Sequence, residues 1–276
     1  MTHKFGFHCN RTGEDVFDAI VRIKPGIIKT LDPNVDFWKR VRDVHPSVFL
    51  IGRQYDESQQ FADNPKARGR DFASRSLSLE ANNANWNGKK LFDAWESFNE
   101  IMPESADAGL KHAYDEFQVA FAERLRSGGQ EPIAMNFATG NMMGSDFLNF
   151  FRGTLETYRY LGFHEYDWPD MWRLHEQGYN EGNGGMWLAL RYRRIKDDVR
   201  RVYGERHTVI ITECGMTQGV QGRNDVGWRH ESFPIDEQRC WDSLAWYHDE
   251  LRRDPYVMGC CLFVVGAIGQ WESFEH

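Results

Sequence analysis

The chain lacks the features that mark several large protein classes. It has no run of 18 or more apolar residues, so it offers no segment that would cross a bilayer as a helix. It has no excess of basic charge: 41 Asp and Glu stand against 33 Lys and Arg, a net charge of −8, which argues against a general nucleic-acid binder. It has few cysteines and an odd number of them (Cys9, Cys214, Cys240, Cys260 and Cys261), most in or beside apolar runs. They read as small buried hydrophobes with free thiols rather than a disulfide framework, compatible with a cytoplasmic protein and with a secreted parent alike. No Cys/His spacing resembles a zinc site, and the histidines, His164 and His175 among them, are scattered, so no metal and no cofactor are expected. There is no low-complexity tract, and no shift of composition marks a second domain. The first strand is expected to begin near Lys4, with no export signal before it.

What is present is a regular alternation. Short apolar runs at 4–9, 26–31, 48–52, 91–95, 132–137, 160–164, 208–212 and 258–265 read as eight strands. Continuous apolar stretches such as Val48-Phe49-Leu50-Ile51 and Val209-Ile210-Ile211 suit strands buried on both faces, as in parallel sheets. Between them, amphipathic segments at 12–23, 34–44, 67–79, 108–126, 147–158, 186–203 and 236–253 read as helices. The first is expected to open on a cap-like Thr12 with Asp15 three residues on. A repeated βα order of this length predicts an α/β fold, a (β/α)8 barrel spanning residues 1–276, over an open doubly wound sheet. After the last strand only about ten residues remain, so an eighth helix is expected to be short or absent. Either the domain continues in a longer chain or the barrel is closed differently at its bottom. Four long loops, 56–66, 138–146, 166–185 and 215–234, each follow a strand and should gather on the C-terminal face of the barrel, where barrel enzymes bind their ligands.

Two apolar segments run into a glutamate: 91–100 into Glu100 and 208–213 into Glu213. A carboxylate at the end of a buried strand is costly unless it has partners or a task. Two of them suggest a two-carboxylate active site. The segment Trp95-Glu96-Ser97-Phe98-Asn99-Glu100 resembles the fourth-strand signature of the large clan of retaining (β/α)8 glycoside hydrolases, and Ile211-Thr212-Glu213-Cys214-Gly215 is similar to that clan's seventh-strand segment. The likeness covers the whole chain as an architecture, while the matching motifs cover about fifteen residues.

The resemblance implies roles. Glu213 would be the nucleophile and Glu100 the acid/base of a double displacement that cleaves β-glycosidic bonds with retention. Asn99 would hydrogen-bond the sugar 2-hydroxyl. His164 and Tyr166 match a His-x-Tyr pattern in which the tyrosine orients the nucleophile. Many clan members carry a second-strand arginine against the nucleophile; this chain has Lys29 there, and Arg53 at the end of the third strand is the substitute. Glu96 reads as a buried structural carboxylate paired with Lys29 or Arg53. Sugars stack on aromatic rings, which singles out Trp228 after the seventh strand and Trp271 after the eighth as substrate contacts, with core packing as the alternative for Trp271. The implied partner is a carbohydrate, and the loops and loop tryptophans favour a groove and endo-action. The rival readings are a non-catalytic carbohydrate-binding barrel and an unrelated barrel enzyme. No His-x-His run near the first strand and no Gly-rich phosphate loop support the latter.

Overall fold

The polypeptide enters the sheet at β1 (Phe5–Cys9). Seven more strands follow: β2 (Ile27–Thr30), β3 (Phe49–Arg53), β4 (Ala94–Glu96), β5 (Glu131–Phe137), β6 (Tyr160–Asp167), β7 (Thr208–Met216) and β8 (Val257–Val265). All pair in parallel with their neighbours, and β8 pairs with β1, so the sheet closes on itself. The computed structural model describes residues 3–103, 105–142, 144–173 and 186–276. Helices α1 (Glu14–Ile23), α2 (Val35–Val44), α3 (Pro65–Ser78), α4 (Ala108–Ser127), α5 (Gly144–Phe150), α6 (Arg152–Thr157), α7 (Tyr192–Tyr203) and α8 (Glu237–Arg252) alternate with the strands. This is a (β/α)8 barrel. No described helix is long and apolar enough to cross a membrane.

The continuous apolar runs have two destinations. Outward residues such as Ile28, Leu50, Trp95, Val209 and Ile211 join the large core beneath the helices. Inward residues Ile27, Ile51, Ala94, Ile133, Tyr160, Ile210 and Cys261 form a separate apolar plug inside the barrel. Three helices start on a cap from the residue just before them, an Asn or Asp whose side chain accepts an otherwise unpaired N–H: Asn34 from Phe37, Asp107 from Leu110 and Asp236 from Arg239.

Several expected boundaries move, each for a local reason. Helix α1 begins at Glu14 rather than Thr12, because the Thr12 hydroxyl donates to Asp32 at 2.6 Å instead of capping. Strand β4 is short because the Arg42 guanidinium takes the Leu91 carbonyl (2.9 and 3.1 Å), keeping it out of the ladder. At its other end the strand stops at Glu96, so Glu100 lies past it rather than at its end. Strand β7 runs on to Met216, so Glu213 is inside it rather than its last residue. The single helix expected at 147–158 is two, α5 and α6. The carboxylate of Asp115 on α4 accepts the N–H groups of Gly153 and Thr154 (3.1 and 2.7 Å) and starts the second. Helix α7 starts at Tyr192 rather than 186, where the buried Glu165 carboxylate accepts the Leu190 and Tyr192 N–H groups. Part of the expected loop 166–185, and His175 with it, lies outside the described residues. After β8 there is one 3-10 turn, Gly269–Phe274, in place of an eighth helix.

Candidate active site

The period-two alternation that sends Ile27, Ile51, Ala94 and Cys261 into the plug sends Lys29, Arg53, Glu96 and Phe263, each two residues later, into the next layer up. The layer above an apolar plug is thus charged. Strand β7 would break the pattern, since Glu213 is three residues past Ile210. A bulge corrects it: Phe163 pairs with Ile211 but His164 pairs with Glu213, so Thr212 is the extra residue and Glu213 turns inward. Strand β5 carries a second bulge at Asn136, where Met135 and Asn136 have φ of 75° and 51°. The two bulges touch, the Thr212 hydroxyl donating to Asn136 Oδ1 at 3.0 Å. Gly162 lies beneath them, and a Cβ there would sit 2.0 Å from that same Oδ1.

The β5 bulge also places Glu100, whose N–H donates to the Asn136 carbonyl at 2.9 Å. Glu100 has φ of 50°, a left-handed conformation that costs a non-glycine residue about 1 kcal/mol. Its neighbour Asn99 is clamped by Gln59, which accepts from the Asn99 N–H (2.6 Å) and donates to its carbonyl (3.1 Å). Arg53 donates to Asn99 Oδ1 at 2.8 Å.

Glu213, 6% exposed, is the electrostatic centre. Lys29 Nζ donates to its Oε1 at 2.8 Å, and Arg53 Nη1 lies 3.5 Å from the same oxygen. The Tyr166 hydroxyl donates to Oε2 at 3.1 Å. His164 Nδ1 stands between the two carboxylates, 2.6 Å from Glu100 Oε1 and 3.6 Å from Glu213 Oε2. Burial pushes the Glu213 carboxyl up, but His164, Lys29, His8 and Arg53 outweigh it and hold the group well below the usual carboxylate range. Burial, reinforced by both glutamates, keeps the Tyr166 phenol protonated far above its usual range, so it remains a donor. Burial, and then Lys29, pushes His8 well below the usual histidine range.

These groups open into a cavity of about 550 Å³ lined by Arg53, Asn99, Glu100, Tyr166, Glu213 and Trp271 together with residues the sequence did not single out. His8, Asn10, Tyr55, Arg223, Asp225, Phe263 and Phe274 are among those. A signal for two of them existed at the end of the first strand, where His8 and, just past the strand, Asn10 place polar side chains at the C-terminal face. His164 sits just beneath the cavity, joined to Glu100. Trp228 is elsewhere: it is buried, stacks on His276 (ring centroids 5.9 Å apart) and does not line the cavity. A glycine before it, Gly227, lies hard against Phe274, which draws Trp228 under the C-terminal segment instead of over the sugar-sized space. Trp271 lines the cavity edge-on to Phe263, with centroids 5.3 Å apart.

Among the described residues, Glu100, His164 and Glu213 are the acid and imidazole groups close enough to share an ion, with one donor atom each within 4.8 Å. The donor set fits a dication poorly. Glu213 already holds the ammonium of Lys29 and faces Arg53, so an added ion would sit beside two fixed cations.

The fold and the site together define a (β/α)8 barrel with a two-carboxylate cavity at its C-terminal face. No family model and no curated protein matches the chain in sequence. Solved structures that it resembles include glycoside hydrolases. A GH128 (subgroup II) endo-beta-1,3-glucanase from Pseudomonas viridiflava aligns over 98% of this chain and 90% of its own at 12% identity, with a TM-score of 0.54. A second GH128 (subgroup II) endo-beta-1,3-glucanase, from Sorangium cellulosum, aligns over 99% and 91% at 14% identity, with a TM-score of 0.55. A glucosidase from Croceicoccus marinus aligns over 96% of this chain but 60% of its own, at 11% identity with a TM-score of 0.60. At such identities the likeness is one of fold.

Proposed function

We propose that the protein is a glycoside hydrolase that cleaves β-glycosidic bonds of an oligo- or polysaccharide with retention of configuration. The observation that carries the reading is the facing pair of carboxylates, with donor oxygens of Glu100 and Glu213 within 4.8 Å of each other across His164. Retaining enzymes set their carboxyl groups about 5–5.5 Å apart, and inverting enzymes about 6.5–9.5 Å to admit a water. The environments differ as the two roles require. Glu213 is buried and ionised among cations, suited to attack the anomeric carbon. Glu100 is exposed to the cavity, suited to meet a leaving oxygen.

In the first step a Glu213 oxygen bonds to the anomeric carbon, the glycosidic C–O bond breaks, and the Glu100 proton passes to the departing oxygen. In the second, Glu100 takes a proton from water, the water oxygen bonds to the anomeric carbon, and Glu213 leaves as carboxylate. Asn99, held by Arg53 and Gln59, is placed for a sugar hydroxyl. Tyr55 (66% exposed), Phe263, Trp271 and Phe274 offer aromatic faces and edges to sugar C–H groups. The names of the two glucanases make β-linked glucans the first substrates to try.

The test is a panel of aryl β-glycosides and β-linked polysaccharides, followed by azide rescue. Glu213→Ala should lose activity on every substrate and yield an α-glycosyl azide when azide is added. Glu100→Ala should keep activity on dinitrophenyl glycosides, lose it on poor leaving groups, and yield the β-azide. The same azide anomer from both variants would reverse or abolish the assignment. Chelators should leave the wild type unaffected.

A further inference from the structure

We infer that Glu96, acting through Lys29, sets the charge that Glu213 feels and so divides the barrier between the two steps of the reaction; the inference rests on the double displacement proposed above. Lys29 and Glu96 are both 0% exposed. Lys29 Nζ stands 2.8 Å from Glu96 Oε2 and 2.8 Å from Glu213 Oε1, one buried ammonium shared by two carboxylates on opposite sides of the barrel. Its hydrogen bond is directed at Glu213, so Glu96 acts as the balancing charge. The other groups facing Glu213 are Arg53, His8, His164, Tyr166 and, across His164, Glu100. Tyr114 and Cys261, the remaining titratable groups near Glu96, are both buried and held protonated, so they bring no charge.

Forming the glycosyl ester removes the negative charge of Glu213, while Glu100, across His164, gains one as it gives up its proton. Among the described residues that leaves Lys29 with Glu96 as its adjacent anion. A buried cation without a partner is costly, so Glu96 keeps the covalent intermediate tolerable. It also prevents Lys29 from neutralising Glu213 entirely in the free enzyme, where an over-stabilised carboxylate would be a poor nucleophile. Glu96 touches neither the cavity nor the reacting atoms. It is a positioning residue for charge.

Glu96→Gln makes the field at Glu213 more positive. Attack by Glu213 should slow by roughly tenfold, and departure of Glu213 from the ester should quicken by up to about tenfold, the change expected if the carboxyl's affinity for a proton moves by one unit. The measurement is rapid-mixing kinetics on a dinitrophenyl glycoside, where the burst reports the first step and the steady state the second. Opposite movement of the two steps, with Glu96→Asp restoring both, is the expected result. Equal slowing of both steps, no change in either, or no rescue by Asp overturns the inference while leaving the glycosidase reading intact. A wild type that cleaves none of the panel overturns both. If Glu96→Gln does not fold, Lys29→Met with Glu96→Gln removes the pair as a neutral unit. The acid limb of kcat/KM should then move to higher pH, because Glu213 loses its nearest cation. An unmoved limb overturns the inference.

Discussion

Tyr166 and Glu213 form the contact in this site whose removal has the clearest sign. The phenol stays protonated because burial and two neighbouring carboxylates forbid its ionisation, and it donates to Glu213 Oε2 at 3.1 Å. A hydrogen bond to a charged group contributes about 1.5–3 kcal/mol. Tyr166→Phe should therefore lower kcat/KM by roughly ten- to a hundredfold. It should also shift its acid limb. In the proposed reaction Glu213 must be ionised to attack. Its carboxyl is held low by neighbouring charges, and a donor to the ionised form favours that form; without the donor it should bind a proton more readily, and the limb should move to higher pH. A pH profile that falls in height without moving would mean that Tyr166 serves substrate binding alone. At this scale the sequence was readable where a residue type and a motif coincide, as for Glu213 and Tyr166. Lys29 was visible as a mismatch, but its shared position between two carboxylates was not, because that requires Glu96 to lie across a closed barrel.

Strand β6 does two jobs with alternate residues: His164 and Tyr166 face the barrel interior, while Glu165 faces out into the helical layer. There its carboxyl meets the Tyr247 hydroxyl of α8 at 2.5 Å and the N–H groups of Leu190 and Tyr192 before α7. Burial pushes Glu165 up to about 7, and these donors only partly offset it. The folded protein thus holds this proton more tightly than the unfolded chain, whose glutamate titrates near 4.5. The stability it contributes is complete below the lower value and is lost as pH rises through the upper one. The difference in unfolding free energy between wild type and Glu165→Gln should fall by on the order of 3 kcal/mol from about pH 5 to about pH 8, read from urea midpoints. Asp167, also pushed up to about 7 by burial, is present in both proteins and cancels. A pH-independent difference would mean the carboxyl does not titrate in this window. The strands were legible because a period of two between apolar flanks survives any tertiary context. Helix starts were less so: α6 and α7 begin on carboxylates donated by distant elements, Asp115 and Glu165, and no local spacing announces those.

On the scale of the whole barrel, the segment after β8 takes a course the periodicity did not reveal. It does not return along the outer wall as a helix. It crosses the C-terminal face, where Arg229 donates to the Glu275 carbonyl, Glu275 accepts the Gly266 and Ala267 N–H groups, and His276 stacks on Trp228. The segment separates two tryptophans: Trp271, within it, lines the cavity, and Trp228 is buried against its last residue, His276. Their alanine variants should behave differently. Trp271→Ala should raise KM by about tenfold with little change in Tm, since it would give up the aromatic contact with sugar proposed for it. Trp228→Ala should cost about 3–5 kcal/mol of stability, as for a large buried side chain, with KM nearly unchanged in the protein that remains folded. Thermal unfolding and steady-state kinetics on the same pair of variants decide it. Equal effects on KM would place both rings at the substrate.

The interlocked bulges of β5 and β7 give the barrel a gauge. Asn136 carries the backbone that fixes Glu100, Thr212 is the extra residue that turns Glu213 inward, and the two side chains are bonded to each other. The gap between the glutamates is therefore anchored in strand register, with the loop that carries Glu100 and its Gln59 clamp tied down to it. Other loops on this face can lengthen, shorten or change their chemistry, and the reach of one carboxylate to the other stays as it was. A scaffold of this kind can be re-aimed at new ligands by editing its rim alone, while a single inserted residue in either strand would undo it.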